Sequence, residues 1–125
     1  MFIEIQPNHP KPIYEQLISQ IKKAIVKGEL AQGEMLPSVR VLAGDLGVNM
    51  HTINKSYNLL VEEGILVKSQ RGYMIEIAKD NPLDFEDQLQ EKIEALLIDI
   101  YIHDLPPEKI KGWTREIAEK LRREW

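Results

Sequence analysis

The sequence predicts a mainly α fold with a small β component (α+β), in which three helices and a β-hairpin are followed by two more helices. Three observations lead to this prediction. Apolar residues recur at spacings of three and four in several stretches, as they do on amphipathic helices. Gly47 places a tight turn between two such stretches, and Asn49 is a favoured residue at the start of the second. Two short β-patterned runs follow directly. This order is that of a winged helix-turn-helix, and it points to DNA.

The N-terminal part of the chain predicts a short strand and then a helix. Residues 2–5 carry isoleucines at alternate positions, which favours a strand. Prolines keep residues 7–12 extended. A helix is then predicted to begin near Pro12 and to end at Gly28, because glycine is favoured just after a helix. Its apolar stripe consists of Ile13, Leu17, Ile21, Ala24 and Ile25.

The central part predicts the two helices of the helix-turn-helix. Ser38 is the expected N-cap of the second helix, and Gly47 makes the turn that ends it. Asn49 is the expected N-cap of the third helix, which stops at Gly64. The positions predicted to face the core are Val41, Leu42, Leu46, Ile53, Tyr57, Leu60 and Val61.

The hairpin and a polar hinge complete the first module. Strands are predicted over residues 65–68 and 73–77, around a turn at 69–72. A polar hinge then marks the boundary between a DNA-binding domain, residues 1–79, and a helical tail, residues 80–125.

The tail predicts two amphipathic helices separated by Pro106 and Pro107. Their apolar stripes are wide for an isolated hairpin of about forty residues, which cannot hide both alone. The hairpin can dock on the first module or pair with the same hairpin of a second chain. We favour pairing, since a helix-turn-helix protein commonly needs two copies to read two half-sites. The predicted dimer interface comprises Phe85, Leu89, Ile93, Leu96, Leu97, Ile100, Ile110, Trp113, Ile117 and Leu121.

Charge and composition narrow the function classes. The net charge is −4, but residues 1–79 carry nine basic and eight acidic groups, whereas residues 80–125 carry seven and twelve. DNA affinity depends on local basic groups, so the acidic total does not exclude DNA. The absence of cysteine excludes disulfides and thiolate metal sites and fits a reducing cytoplasm. No signal peptide or membrane span is predicted.

Catalysis has little support in the sequence. The three histidines are scattered, no glycine-rich phosphate loop is present, and no spacing delivers convergent metal ligands. We therefore expect a protein that is not an enzyme and that has no metal and no cofactor.

The chain resembles the GntR family of bacterial transcription regulators up to about residue 78. The matching residues are Pro12-Ile13-Tyr14-Glu15-Gln16-Leu17, Ile21, Ile25, Gly28, Leu30, Gly33, Leu36-Pro37-Ser38-Val39-Arg40-Val41-Leu42-Ala43, Leu46-Gly47-Val48, Thr52-Ile53, Tyr57, Leu60 and Glu63-Gly64. The short second part resembles the YtrA subfamily, whose small helical tail serves dimerisation and whose members often repress transporter operons. The resemblance implies a homodimeric cytoplasmic repressor that binds a palindromic operator. It names no small-molecule effector.

Three positions depart from the family pattern. Met50 stands where the recognition helix often carries an arginine, Asn54 where another basic or small residue is common, and Gln70 where the wing usually has its first glycine. Methionine cannot make the bidentate guanine contact of arginine. These departures predict an altered operator sequence, and the missing basic groups predict modest affinity with a shallow salt dependence.

Candidate DNA contacts lie on three elements. The resemblance implies that Arg40, in the first turn of the second helix, contacts DNA, and a guanidinium suits phosphate or guanine. Asn54 can pair with an adenine edge, and Arg71 at the wing tip suits the narrow minor groove. Tyr57 is expected in the core with its hydroxyl near the DNA backbone. The full set is Ser38, Arg40, Asn49, Met50, His51, Thr52, Asn54, Lys55, Tyr57, Lys68, Arg71 and Gly72.

Simpler roles exist for several of these residues. Ser38 and Asn49 can be caps alone, Thr52 can merely close a turn, and exposed lysines are usually solvated. Two other function classes also fit the fold. One is a winged-helix module that binds protein, and the other is a ligand sensor without DNA affinity that would need a pocket beside Trp113.

Overall fold

Five α-helices and one two-stranded antiparallel sheet form the structure, a computed structural model that describes residues 3–122. The described chain divides into two compact units, residues 3–78 and residues 79–122. The mainly α winged-helix class predicted from the sequence is confirmed. The elements in chain order are α1 (Ile13–Val26), α2 (Val39–Leu46), α3 (Met50–Glu62), β1 (Leu66–Ser69), β2 (Gly72–Ile75), α4 (Phe85–Ile102) and α5 (Pro107–Leu121).

The first unit is built around α3, which packs against α1, α2 and β1. Ser56, fully buried on α3, donates a hydrogen bond of 2.9 Å from its Oγ to the carbonyl oxygen of Tyr14 and so ties α3 to the start of α1. A small hydroxyl is accommodated there because its hydrogen bond offsets the cost of desolvation. The buried core consists of Leu17, Ile21, Ala24, Leu30, Leu36, Leu42, Ala43, Ile53, Tyr57, Leu60, Leu66, Tyr73 and Ile75.

The helix-turn-helix follows the predicted capping chemistry. Ser38 Oγ accepts from the backbone N–H of Val41 at 3.1 Å, and Asn49 Oδ1 accepts from the N–H of His51 at 2.8 Å. Gly47 takes a left-handed conformation at φ 69°, which glycine adopts at little cost. One side chain differs from prediction: Val41 is exposed, and Ala43 is buried instead. On this short helix, the buried face is set by how α2 meets α3, which the spacing of apolar residues alone does not determine.

The hairpin is displaced slightly from its predicted position. The strands β1 and β2 pair with Leu66 opposite Ile75 and Ser69 opposite Gly72, leaving Gln70 and Arg71 as the turn. Residues 33–36, predicted only as a connector, pair with the outer edge of β2. The hydrogen bonds there run from Leu36 N to Tyr73 O at 2.9 Å, from Gly33 N to Ile75 O at 2.7 Å and from Ile75 N to Glu34 O at 2.9 Å.

The strand predicted over residues 2–5 is wrong for its described residues 3–5, and Phe2 lies outside the described residues. These residues are held by side-chain amides instead. Gln20 bonds both the N–H and the carbonyl of Glu4, at 2.9 and 2.6 Å, and buried Gln16 does the same for Gln6, at 2.9 and 3.0 Å. A glutamine amide offers a donor and an acceptor together, so it replaces a neighbouring strand.

The second unit consists of α4 and α5. The chain turns between them at Asp104, with a positive φ of 54°, and Pro107 starts α5 at a position where proline is favoured. Most of the side chains predicted to pair with a second chain are exposed or half-buried. Ile100 is instead buried within its own chain, only 4% exposed, so the prediction that it faces a partner is wrong.

None of the helices between residues 3 and 122 combines the length and the apolar character that a bilayer crossing requires.

Candidate nucleic-acid interface

The N-terminal half of α3 presents the polar face predicted to contact DNA. Met50, His51, Asn54 and Lys55 are exposed, whereas Thr52 is half-buried. The Asn49 side chain is committed to capping the helix through its Oδ1. Its amino group carries no hydrogen bond to the described residues. The helix therefore begins with the positive end of its dipole beside exposed, mostly polar side chains, an arrangement suited to phosphate and base edges.

The start of α2 forms the second part of the candidate nucleic-acid interface. Arg40 is exposed in the first turn, next to Ser38, whose Oγ serves as cap. A helix N-terminus favours negative charge because its first N–H groups lack helical partners. A cation beside these groups adds to an electropositive site, and a phosphate is the matching ligand.

The tip of the hairpin forms the third part of the candidate nucleic-acid interface. Arg71 is exposed in the two-residue turn, where the Oγ of Ser69 accepts from its N–H at 3.2 Å. Gly72 has a φ of 124°, a conformation that side-chain-bearing residues rarely adopt, so the turn requires glycine there. Lys68, exposed on β1, has its Nζ 5.6 Å from the centroid of the Tyr73 ring.

The cations of these elements are available for an external anion. Among the described residues, Arg40, Lys55, Lys68 and Arg71 have no acidic partner within salt-bridge distance. Lys55 lies over the Tyr14 ring, with Nζ 3.8 Å from the centroid, which orients the ammonium group without neutralising it. This set of unpaired cations suits an anionic polymer.

The position of Tyr57 differs from the predicted contact of its hydroxyl with the DNA backbone. Its side chain is 0% exposed, and its hydroxyl donates to the carbonyl oxygen of Pro37 at 2.8 Å. Burial, with a smaller contribution from nearby Tyr73, raises the pKa of Tyr57, so the hydroxyl keeps its proton. Its expected place in the core is right, but its expected approach to DNA is wrong: Tyr57 supports the residue before the α2 cap instead.

Tyr73, which was not among the predicted site residues, connects the hairpin with α3. Tyr73 on β2 is 6% exposed, and its hydroxyl lies 3.3 Å from Asn54 Oδ1 and 3.0 Å from Asn58 Oδ1 on α3. Its ring meets that of Tyr57 edge to face, with centroids 4.8 Å apart. The spacing of Asn54 and Asn58, one helical turn apart, signals a shared face, but nothing local in the sequence signals the tyrosine from the wing.

Between residues 3 and 122, no three or more histidine, aspartate or glutamate side chains are grouped so that they could hold a metal ion.

Comparison with known sequences places this geometry in a family. The family described as "Bacterial regulatory proteins, gntR family" matches residues 13–75. The HTH-type transcriptional repressor YtrA of Bacillus subtilis is 34% identical over 123 residues, covering 96% of this chain and 95% of that protein. The relatives are transcription regulators, which confirms the prediction that the chain is not an enzyme.

Solved structures agree with the sequence comparison. A transcriptional antiterminator from Listeria monocytogenes has a TM-score of 0.90 at 26% identity, covering 97% of this chain and 92% of that one. YtrA from Sulfolobus acidocaldarius, a GntR-family transcription factor, has a TM-score of 0.67 at 41% identity, covering 78% of this chain and 99% of that one. AraR(DBD) in complex with operator ORX1 has a TM-score of 0.54 at 27% identity, covering 60% of this chain and 98% of that one. The chain belongs to the GntR family of bacterial transcription regulators, and its similarity to YtrA extends over nearly its whole length.

Proposed function

We propose that the protein represses transcription by binding a palindromic DNA operator as a homodimer. The observation that carries this proposal is the set of exposed, unpaired cations and polar side chains on α2, α3 and the hairpin tip. An operator complex of AraR(DBD), which resembles 60% of this chain, supports the same use of the fold. Repression is supported by the name of the Bacillus subtilis relative.

The N-terminus of α3 enters the major groove in this proposal, and the hairpin tip enters the adjacent minor groove. Asn54 faces base edges, while Arg71 suits the narrow minor groove. Arg40, Lys55 and Lys68 contact phosphates. Three phosphate-contacting cations per protomer predict a log–log salt slope of about −3 per protomer, or about −5 for the dimer, which is at the shallow end for a protein that binds a specific DNA site.

The second unit supplies the proposed dimer interface. Leu89, Ile93 and Leu96 on α4 are 42%, 56% and 55% exposed, and Trp113 and Ile117 on α5 are 44% and 55% exposed. Apolar side chains in such density along two helices are typical of a surface that a partner covers. A second copy satisfies both this surface and a two-half-site operator. By the resemblance to YtrA, we also propose a transporter operon as the target and the cytoplasm as the site of action.

The first experiment measures binding to the DNA upstream of the protein's own gene at two salt concentrations, with unrelated DNA as competitor. We expect specific, salt-sensitive binding that Arg40→Ala weakens about tenfold or more. Arg115→Ala is the matched control, because it also removes an exposed arginine, but from α5 in the second unit. Binding that never exceeds the competitor, or equal losses in the two variants, would contradict the proposed surface.

A further inference from the structure

We propose that Tyr14, at the start of α1, is a positioning residue for DNA binding, whose ring holds the ammonium group of Lys55 ready for a phosphate. This role rests on the proposed function and assigns part of the DNA affinity to a residue outside the three elements of the interface. The Nζ of Lys55 lies 3.8 Å from the centroid of the Tyr14 ring. A cation this close to the face of an aromatic ring is attracted by the ring's electrons.

The backbone that carries the Tyr14 ring is fixed by α3 itself. Ser56, the residue after Lys55, is fully buried, and its Oγ lies 2.9 Å from the Tyr14 carbonyl oxygen, which is its shorter contact with an acceptor. The helices α1 and α3 also pack directly on each other. The ring is therefore presented by a firmly packed part of the fold, and only the lysine side chain has to be held.

The held ammonium group keeps its charge available for an anion. Lys55 is exposed, and it has no acidic partner within salt-bridge distance among the described residues. The carboxylate next to the ring, that of Glu15, accepts from the Tyr14 hydroxyl at 3.3 Å instead. An aromatic ring attracts an ammonium group without neutralising it, and N–H donors remain for a second partner.

The position of Lys55 on α3 indicates which anion it meets. His51, one helical turn earlier, is exposed on the same side of the helix. Lys55 lies toward α1, whereas Asn54 lies toward the hairpin, where the Tyr73 hydroxyl contacts it. A helix with its side chains is about 10–12 Å across and the major groove is about 12 Å wide, so the two flanks of the helix lie beside phosphates. The flank that carries Lys55 therefore meets the DNA backbone.

Holding the ammonium group in advance raises the affinity for DNA. A free lysine side chain samples many rotamers, and only the fraction of molecules with the right one is ready to bind. The gain from the ring is limited by the attraction between the ring and the cation, which for an exposed pair corresponds to about two- to fivefold per protomer. Because both protomers gain it, we expect about four- to twenty-fivefold for a dimer on an operator with two half-sites.

The first measurements establish that Lys55 contacts a phosphate. Lys55→Ala should weaken operator binding and make the log–log salt slope of the dimer shallower by about two, one for each protomer. The loss should be the same across operators with different base substitutions, because phosphates carry no sequence information. An unchanged salt slope, or a loss confined to one base position, would overturn the inference.

A double-mutant cycle then separates positioning from a general effect on the fold. Tyr14→Leu keeps an apolar side chain but removes the ring, and it should weaken operator binding about four- to twenty-fivefold. In the Lys55→Ala background the same substitution should cause no further loss. Full affinity in Tyr14→Leu contradicts the proposed role. So does an equal loss in both backgrounds, which would mean that Tyr14 contacts DNA itself or supports only the fold.

Tyr14→Phe tests the ring against the hydroxyl. This comparison is made with Glu15→Gln present in the reference and in the variants, because loss of the hydroxyl frees a carboxylate that could pair with Lys55. Tyr14→Phe should bind the operator within about twofold of the reference, whereas Tyr14→Leu should show the full loss. Equal losses in the two variants would overturn the inference.

The proposed function and this inference fail in different ways. A wild-type protein that binds no DNA specifically would overturn both. Specific binding that Arg40→Ala weakens and Lys55→Ala leaves unchanged would leave the proposed function standing and overturn the role of Tyr14.

Discussion

Tyr57 shows how one residue can serve both the core and the site. It is the largest fully buried side chain among the described residues, and its single polar atom is matched by the Pro37 carbonyl oxygen at 2.8 Å. That carbonyl lies immediately before Ser38, the cap of α2. A contact in the core therefore fixes the backbone beneath Arg40 without itself reaching the surface.

Removing the Tyr57 hydroxyl should reveal this role in stability. Tyr57→Phe is expected to lower the free energy of unfolding by about 1 kcal/mol near neutral pH, because the carbonyl loses its partner. Burial raises the pKa of Tyr57, so its contribution is complete below the unfolded value of about 10 and is lost as pH rises above it. Urea denaturation at pH 7 and above pH 10 should show the difference between wild type and variant shrinking at high pH. A difference that stays constant or grows would contradict it.

Alanine substitution of Gly47 tests the turn between α2 and α3, and the same substitution of Gly44 is the matched control. An added Cβ meets no atom within 4 Å at either position, but Gly47 has a φ of 69° whereas Gly44 is helical. Gly47→Ala should therefore cost about 1 kcal/mol through backbone conformation alone. Gly44→Ala should stabilise the protein by up to about 1 kcal/mol. Thermal melting of the two variants should shift in opposite directions, and equal shifts would show that the turn does not impose this difference.

At the scale of elements, local chemistry determines what the sequence could predict. The ends of α2 and α3 follow from Ser38, Gly47 and Asn49, whose effects reach only a few residues along the chain. The polar face of α3 follows from helical periodicity in the same way. The pairing of residues 33–36 with β2 and the approach of Tyr73 to Asn54 depend on partners distant in sequence, so no local pattern signals them.

The N-terminal segment is the clearest case of such a distant partner. Gln16 is 8% exposed and bonds Gln6 N at 2.9 Å, Gln6 O at 3.0 Å and Lys11 O at 2.8 Å. Gln16→Leu should free residues 6–11 and cost about 1–3 kcal/mol, because these backbone groups lose their partners. Gln20→Leu is the milder control, since its two bonds to Glu4 are exposed. Hydrogen exchange should quicken over residues 6–11 in Gln16→Leu; equal exchange in the two variants would contradict this anchoring role.

At the scale of the whole molecule, charge and apolar surface are divided between the two parts of the chain. Residues 80–125 carry seven basic and twelve acidic groups, a balance that repels DNA, whereas the candidate contacts with their unpaired cations belong to the first unit. The helices of the second unit expose apolar side chains to water, which is unfavourable unless a partner covers them. This distribution of charge and apolar surface is expected if the first unit binds the operator and the second unit joins two copies of the chain.

A pair of substitutions on α4 tests that division directly. Ile93→Asp places a carboxylate within the apolar stripe, whereas Ala95→Asp places the same charge two positions on, toward the opposite side of the helix. Both residues are exposed, so neither change should unfold the chain. Sedimentation should show a monomer for Ile93→Asp and a dimer for Ala95→Asp. Because the two DNA-binding units of a dimer act together, Ile93→Asp should bind a two-half-site operator about 100-fold more weakly and keep its affinity for a single half-site. A monomeric wild type would contradict the proposed dimer. A dimer that persists in Ile93→Asp would show that the two copies meet elsewhere than at this stripe.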